Sequence, residues 1–159
     1  MKKTTSLYIV VKKSGVHQSG VFAKKDILKE TRIIEYVGER VTHVEADRRT
    51  KSRIYAFILN KRYCIDGNVI YNTAKYINHS CDPNCEVDII RGHIWIIAIR
   101  NIKKGEELNY NYNFEYDKDY KDDPCKCGAK RCVGYILDED DWPKLERAKK
   151  KGREKKSTK

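Results

Sequence analysis

Three cysteines stand within eight residues, Cys125, Cys127 and Cys132, in the spacing C-x-C-x4-C, and no other feature restricts the fold of this chain as much. Thiols so close together must be bridged, sheltered or bound to a metal, and each outcome fixes the loop that carries them. Cys64, Cys81 and Cys85 bring the total to six, enough for a disulfide framework in a secreted chain. Against secretion, the apolar stretch at 7–11 is too short for a signal-peptide core, and Lys12 and Lys13 close it. In a reducing compartment metal ligation is the better reading. Gly128, directly after the second cysteine, lets the backbone turn sharply enough to bring Cys132 round. A closed tetrahedral site needs a fourth ligand, and Cys81, Cys85, Cys64 and a histidine are all candidates. Cys81 and Cys85 flank the turn dipeptide Pro83-Asn84, and spacing does not choose between them. Four thiolates with no open position would make a zinc ion structural, not catalytic. The plainer alternative is three metal-free thiols in a surface loop.

The 159 residues suit one domain, and 40% hydrophobic against 36% charged residues allow a modest core. The longest apolar stretch, 94–99, is strand-sized and far below the roughly 18 residues that cross a bilayer. A soluble intracellular protein with no membrane partner is expected. Strands are expected at 7–11, 33–37, 55–59, 62–65, 85–91 and 93–99, with a turn at 15–20 ahead of Val21-Phe22-Ala23, and with Asn60-Lys61 and Gly92 at hairpin turns. Residues 43–50 read as a short polar helix, and a last helix is expected to start near Pro143. Short strands with frequent turn signals and no regular helical crossovers point to a mainly β fold.

Charge is unevenly spread. Of the net +11, residues 144–159 contribute +7, with nine Lys or Arg against two Glu. Such a tail suits contact with nucleic acid or another acidic surface, or a nuclear address. The plainer reading is a solvated, frayed terminus.

Five segments that follow one another in the family's order, the cysteine run among them, carry a family resemblance. Residues 76–85, Tyr-Ile-Asn-His-Ser-Cys-Asp-Pro-Asn-Cys, resemble the SET-domain motif N-H-S-C-x-P-N-C. Residues 105–112 resemble its G-E-E-L-x-[YF]-D-Y, residues 35–39 its E-Y-x-G-E strand, and residues 55–57 its Y-x-F strand. The cysteine run through Gly134 resembles the post-SET tail. The resemblance covers roughly residues 7–137. It implies a SET-domain fold of small curled sheets with a C-terminal pseudoknot, in which Tyr112 passes beneath the loop at Asn78-His79, and a post-SET zinc loop. The implied division is a SET domain at 1–116, a post-SET zinc-binding segment at 117–137 and an acidic-then-basic tail at 138–159. It also implies that Cys81 joins Cys125, Cys127 and Cys132 on a structural Zn2+, leaving Cys64 and Cys85 as ordinary thiols, and that the zinc folds the post-SET segment over the active site.

What the resemblance implies about chemistry is methyl transfer from S-adenosyl-L-methionine to a protein lysine. Tyr36, Tyr110 and Tyr112 would line the lysine channel, with the Tyr112 hydroxyl orienting amine and methyl. An unperturbed phenol, with a pKa of about 10, is no general base. Cofactor binding would fall to His17, Gln18, Ser19 and Gly20, to Tyr55, and to Asn78 and His79. Outside the resemblance, Tyr110 and Tyr112 read as alternate residues on one strand face, packed in the core. Gln18 departs from the usual Gly, Asn111 from the usual Asp, Lys75-Tyr76 from Arg-Phe and Tyr71 from a frequent Gly. Tyr at 110 accompanies lower methylation in the family, so mono- or dimethylation is expected. The acidic runs, Asp117, Asp119, Asp122 and Asp123 and then residues 138–141, suit a basic protein or peptide such as a histone, and nuclear or chromatin association follows from that. Two rival readings are a SET-like module that binds lysine peptides without turnover, and a zinc-dependent nucleic-acid-binding protein. The second leaves the tyrosine-rich motifs without a role.

Overall fold

The computed structural model of the chain describes residues 4–15, 18–49 and 55–157. It is mainly β, as the turn-punctuated sequence suggests, and forms two compact units. The first comprises residues 1–78 and 83–110, the second residues 79–82 and 111–159.

In the first unit the strands are β1 (Ile9–Lys12), β2 (Gly20–Ala23), β3 (Arg32–Tyr36), β4 (Glu39–Thr42), β5 (Ala56–Ile58), β6 (Tyr63–Asp66), β7 (Asn78–His79, whose second residue belongs to the other unit), β8 (Cys85–Ile90), β9 (His93–Ala98) and β10 (Glu107–Tyr110). They build three small sheets, ordered β1-β2-β10-β7, β3-β9-β8 and β4-β6-β5. Helix α1 (His43–Arg49) follows β4. Local chemistry explains the hairpins. Arg91 and Gly92 both adopt positive φ, 52° and 82°, which matches the twist of a tight β8–β9 connection. The Asn60 Oδ1 accepts the N–H groups of Arg62 and Tyr63 at 2.9 and 3.0 Å and so closes the β5–β6 turn.

Strand alternation sets the core. In β9, Ile94, Ile96 and Ala98 are buried, while His93, Trp95 and Ile97 face the other way. With Val21, Ile27, Ile77, Ile102 and Leu108 they are among the most deeply buried apolar side chains on the strands and turns of this unit, each at most 1% exposed. Burying each of the Ile, Leu and Val side chains contributes about 1.5–3 kcal/mol. The first strand starts two residues later than expected, because Leu7 is 80% exposed and lies in a turn. Strand β4 was not expected at all: its only buried side chain is Val41.

The second unit is mostly irregular up to residue 138. It has 3₁₀ turns at Tyr120–Asp122 and Glu139–Asp141 and a bridge between Pro124 and Tyr135. It ends in helix α2 (Trp142–Ser157). Pro143 sits in the first turn, where a missing N–H costs nothing. The basic residues from Lys144 to Lys156 lie within this helix. Leu137 and Leu145, each 1% exposed, form this unit's core. No described helix is long and apolar enough to cross a membrane.

Candidate functional site

In the first unit, two clusters gather expected site residues. The first centres on a carboxylate that the sequence reading passed over. Glu107 Oε1 accepts the Asn78 amide at 2.8 Å and the Ser14 hydroxyl at 2.8 Å. The same Asn78 amide reaches the Ser19 carbonyl at 3.1 Å. Asn78 is 8% exposed, so its donors are spent inside the protein, where they tie β7 to β10 and to the 14–20 segment. Gly20 makes this closure sterically allowed: a Cβ there would lie 2.3 Å from Glu107 Oε1. Of the expected cofactor loop, Ser19 and Gly20 join this network, Gln18 is exposed, and His17 lies outside the described residues. Asn84, 2% exposed, braces the same strand by donating to the Glu107 carbonyl at 2.9 Å and accepting from Asn109 N–H at 2.9 Å.

The second cluster is an aromatic wall. Tyr36 and Phe57 meet edge to face with ring centroids 4.6 Å apart, and Phe57 lies 5.8 Å from Tyr110. Tyr36 and Tyr110 are 2% and 3% exposed. The Tyr36 hydroxyl donates to the Tyr55 carbonyl at 3.0 Å, and that carbonyl also accepts Gly67 N–H at 2.8 Å. Gly67 lies against the Tyr36 ring so closely that a Cβ would come within 2.2 Å of it. Asn72, fully buried, holds this turn through its amide to the Gly67 carbonyl at 3.0 Å. Tyr55 thus contributes its backbone here. Phe57, in sequence only the last residue of the Y-x-F strand motif, is the ring between the two tyrosines. Such walls strip water from a ligand's amine and favour its neutral form.

The second unit holds the other expected residues. His79 Nδ1 accepts Tyr112 N–H at 3.2 Å, and the two rings meet edge to face at 5.4 Å. Burial pushes His79 down to about 4, so the imidazole is neutral and its proton belongs on Nε2, which faces Cys81 Sγ at 3.5 Å. Tyr112 also lies 5.9 Å from Phe114. Asn111 uses the atom that distinguishes it from aspartate: Nδ2 donates to the Leu137 carbonyl at 3.1 Å, while Oδ1 accepts Asn113 N–H at 3.1 Å.

Beside His79, the sulfurs of Cys81, Cys125, Cys127 and Cys132 all lie within 4.8 Å of one another. Cys81 stands 3.7 Å from Cys125 and 3.9 Å from Cys132. A tetrahedron with Zn–S bonds of about 2.3 Å has edges of about 3.8 Å, so the set fits a zinc ion. Backbone amides also point at the sulfurs, from Cys127 to Cys125 at 3.5 Å and from Gly134 to Cys132 at 3.4 Å. Burial pushes the Cys81 thiol up to about 11 and raises that of Cys125; without a cation both would keep their protons. Cys127 opposes its own burial, and amide hydrogen bonds from Cys81 and Ala129 bring it down to about 7. The other two cysteines are elsewhere. Cys85 opens β8, and Cys64 lies 3.4 Å from His43 Nδ1.

Comparison with known proteins agrees with the motif order. The family model described as SET domain matches residues 18–113. Over 134 residues the chain is 38% identical to human histone-lysine N-methyltransferase 2D, which covers 78% of this chain. It is 38% identical over 146 residues, 86% of the chain, to the Drosophila virilis histone-lysine N-methyltransferase trithorax. A third relative, the Saccharomyces cerevisiae histone-lysine N-methyltransferase, H3 lysine-4 specific, is 38% identical over 80% of the chain. The matches span only 2%, 4% and 13% of those relatives' own lengths.

Proposed function

The chain belongs to the SET-domain family, and from that premise we propose that it is a protein-lysine methyltransferase acting on a basic protein such as a histone. The observation that carries this reading is the aromatic wall of Tyr36, Phe57 and Tyr110, apolar on its faces and tipped with hydroxyls. Lysine fits such a wall: its methylene stem packs on rings, and its nitrogen must lose its proton before it has a lone pair to offer. S-adenosyl-L-methionine supplies a methyl group already activated on a sulfonium. The remaining tasks are orientation and charge.

To Tyr36 and Tyr110 we assign contact with the lysine chain. To Tyr112 we assign the hydroxyl that orients the amine. Tyr36 donates its proton to the Tyr55 carbonyl, which fixes the direction of its hydroxyl. Ser19, Gly20, Asn78, His79 and Tyr55 are assigned to the donor, together with Gln18 and His17. Zinc on Cys81, Cys125, Cys127 and Cys132 would be structural, since four sulfurs leave no open position. The relatives' names support a histone-like substrate, and the acidic residues Asp117, Asp119, Asp122 and Asp123 support a basic one.

The test is incubation of zinc-loaded protein with core histones and labelled donor, followed by peptide mass spectrometry. Transfer to lysine is expected, and Tyr112→Phe should lower it about 100-fold, the scale of lost alignment. Donor uptake without transfer to any basic protein would leave only a lysine-binding module. We further propose a mono- or dimethyl product. Tyr110→Phe should shift it toward trimethyl-lysine, and trimethylation by the wild type, unchanged in the variant, would refute that limit.

A further inference from the structure

Helix α2 is both strongly cationic and firmly seated. From Trp142 to Ser157 it carries eight Lys or Arg against Glu146 and Glu154. Its first turns are held by the loop that bears the cysteines. Leu145 is 1% exposed, the Arg131 guanidinium lies 4.7 Å from the Trp142 ring centroid, and Lys149 Nζ donates to the Val133 carbonyl at 3.0 Å. Arg131 and Val133 flank Cys132. Two of the acidic groups at the helix start are already matched. Asp141 pairs with Lys144 at 2.6 Å and accepts Tyr116 N–H at 2.7 Å, and Glu139 pairs with Arg131. Within the helix itself the sequence sets only Glu146 and Glu154 against those eight cations.

The sequence of the helix narrows the partner. After Leu145 the only apolar side chain is Ala148, so the later turns have no face to bury in a bilayer or in a protein core. No aromatic residue follows Trp142, so no ring is offered for stacking on unpaired bases. What remains is neutralisation of a regular line of phosphates. Sixteen residues make a rod about 24 Å long and about 10–12 Å across, which suits a B-form major groove of about 12 Å.

We propose that α2 is a duplex-DNA-binding arm that grips phosphates without reading bases. This binding needs neither methyl donor nor substrate lysine, so it stands apart from the methyltransferase reading. The test is fluorescence anisotropy of the full chain with a labelled duplex of about 24 base pairs between about 50 and 200 mM salt. Neutralising about five phosphates gives a log–log salt slope of about −4.5. The triple variant Lys150→Gln, Lys151→Gln, Arg153→Gln keeps good helix formers and removes three charges. Its slope should be shallower by about 3 and its affinity at low salt at least about tenfold lower. An unchanged slope and affinity would overturn the proposal. So would tighter binding of single-stranded DNA, an RNA duplex or phosphatidylserine vesicles than of duplex DNA.

Discussion

Glu107 receives its hydrogen bonds from residues 29 and 93 positions away, and that distance is why the sequence does not mark it as a site residue. Glu107→Gln keeps the volume and removes the charge. Losing charge-assisted bonds of this kind costs about 1.5–3 kcal/mol, so donor binding measured by calorimetry should weaken at least about tenfold. Gly20→Ala should give the same defect, because its Cβ would press on the same carboxylate oxygen. The double variant should be no worse than the poorer single one. Normal donor affinity in both variants would separate this network from cofactor binding. Cys81 and Cys85 flank one turn and look alike in sequence, and burial raises both thiols, but it is Cys81 that lies beside the sulfurs of Cys125 and Cys132. Burial pushes Cys85 up to about 12, so its thiol stays neutral in the fold while the unfolded chain ionises near ~8.5. A raised folded pKa gives stability that is complete below the unfolded value and is lost as pH climbs toward the folded one. Between about pH 9 and 12 the wild type should therefore lose about 1.4 kcal/mol per unit more than Cys85→Ala in urea unfolding. Parallel pH profiles would contradict this.

Among the elements, the hairpins were legible because their signals are local: Asn60 and Gly92 lie inside the turns they make. Strand β4 was not, since one buried Val41 gives no alternation to read. The alternate-residue reading of Tyr110 and Tyr112 fails for a related reason. Strand β10 stops at Tyr110, and the pattern of a strand carries no mark of where pairing ends. The close approach of Gly67 to Tyr36 was equally hidden, because a glycine in sequence does not say what it lies against. Gly67→Ala would put a methyl group into the Tyr36 ring and should cost about 1–3 kcal/mol in urea unfolding. It should also loosen the Tyr36 hydroxyl from the Tyr55 carbonyl. A variant as stable as wild type would show that the turn yields easily.

At the scale of the whole molecule, the family could be read from five short motifs in order, each too weak alone. The composition of two units could not, because residues 79–82 group with a segment that begins at 111. Chelating the zinc proposed for the four cysteines should act on that second unit. With the sulfurs released, burial favours protonated Cys81 and Cys125, and the loop loses its crosslink. Limited proteolysis after chelation should then cut between residues 111 and 137 while the 83–110 strands keep their protection. Unchanged cleavage would mean that the loop holds its shape unaided.

The pairing of Cys81 with sulfurs 44 and 51 residues further on has a consequence for synthesis. A nascent chain presents this thiol outside the ribosome roughly 2 to 10 seconds before its companions emerge. During that interval it is open to oxidation or to capture by a softer ion such as Cu(I). Zinc scarcity should therefore harm newly made molecules far more than finished ones.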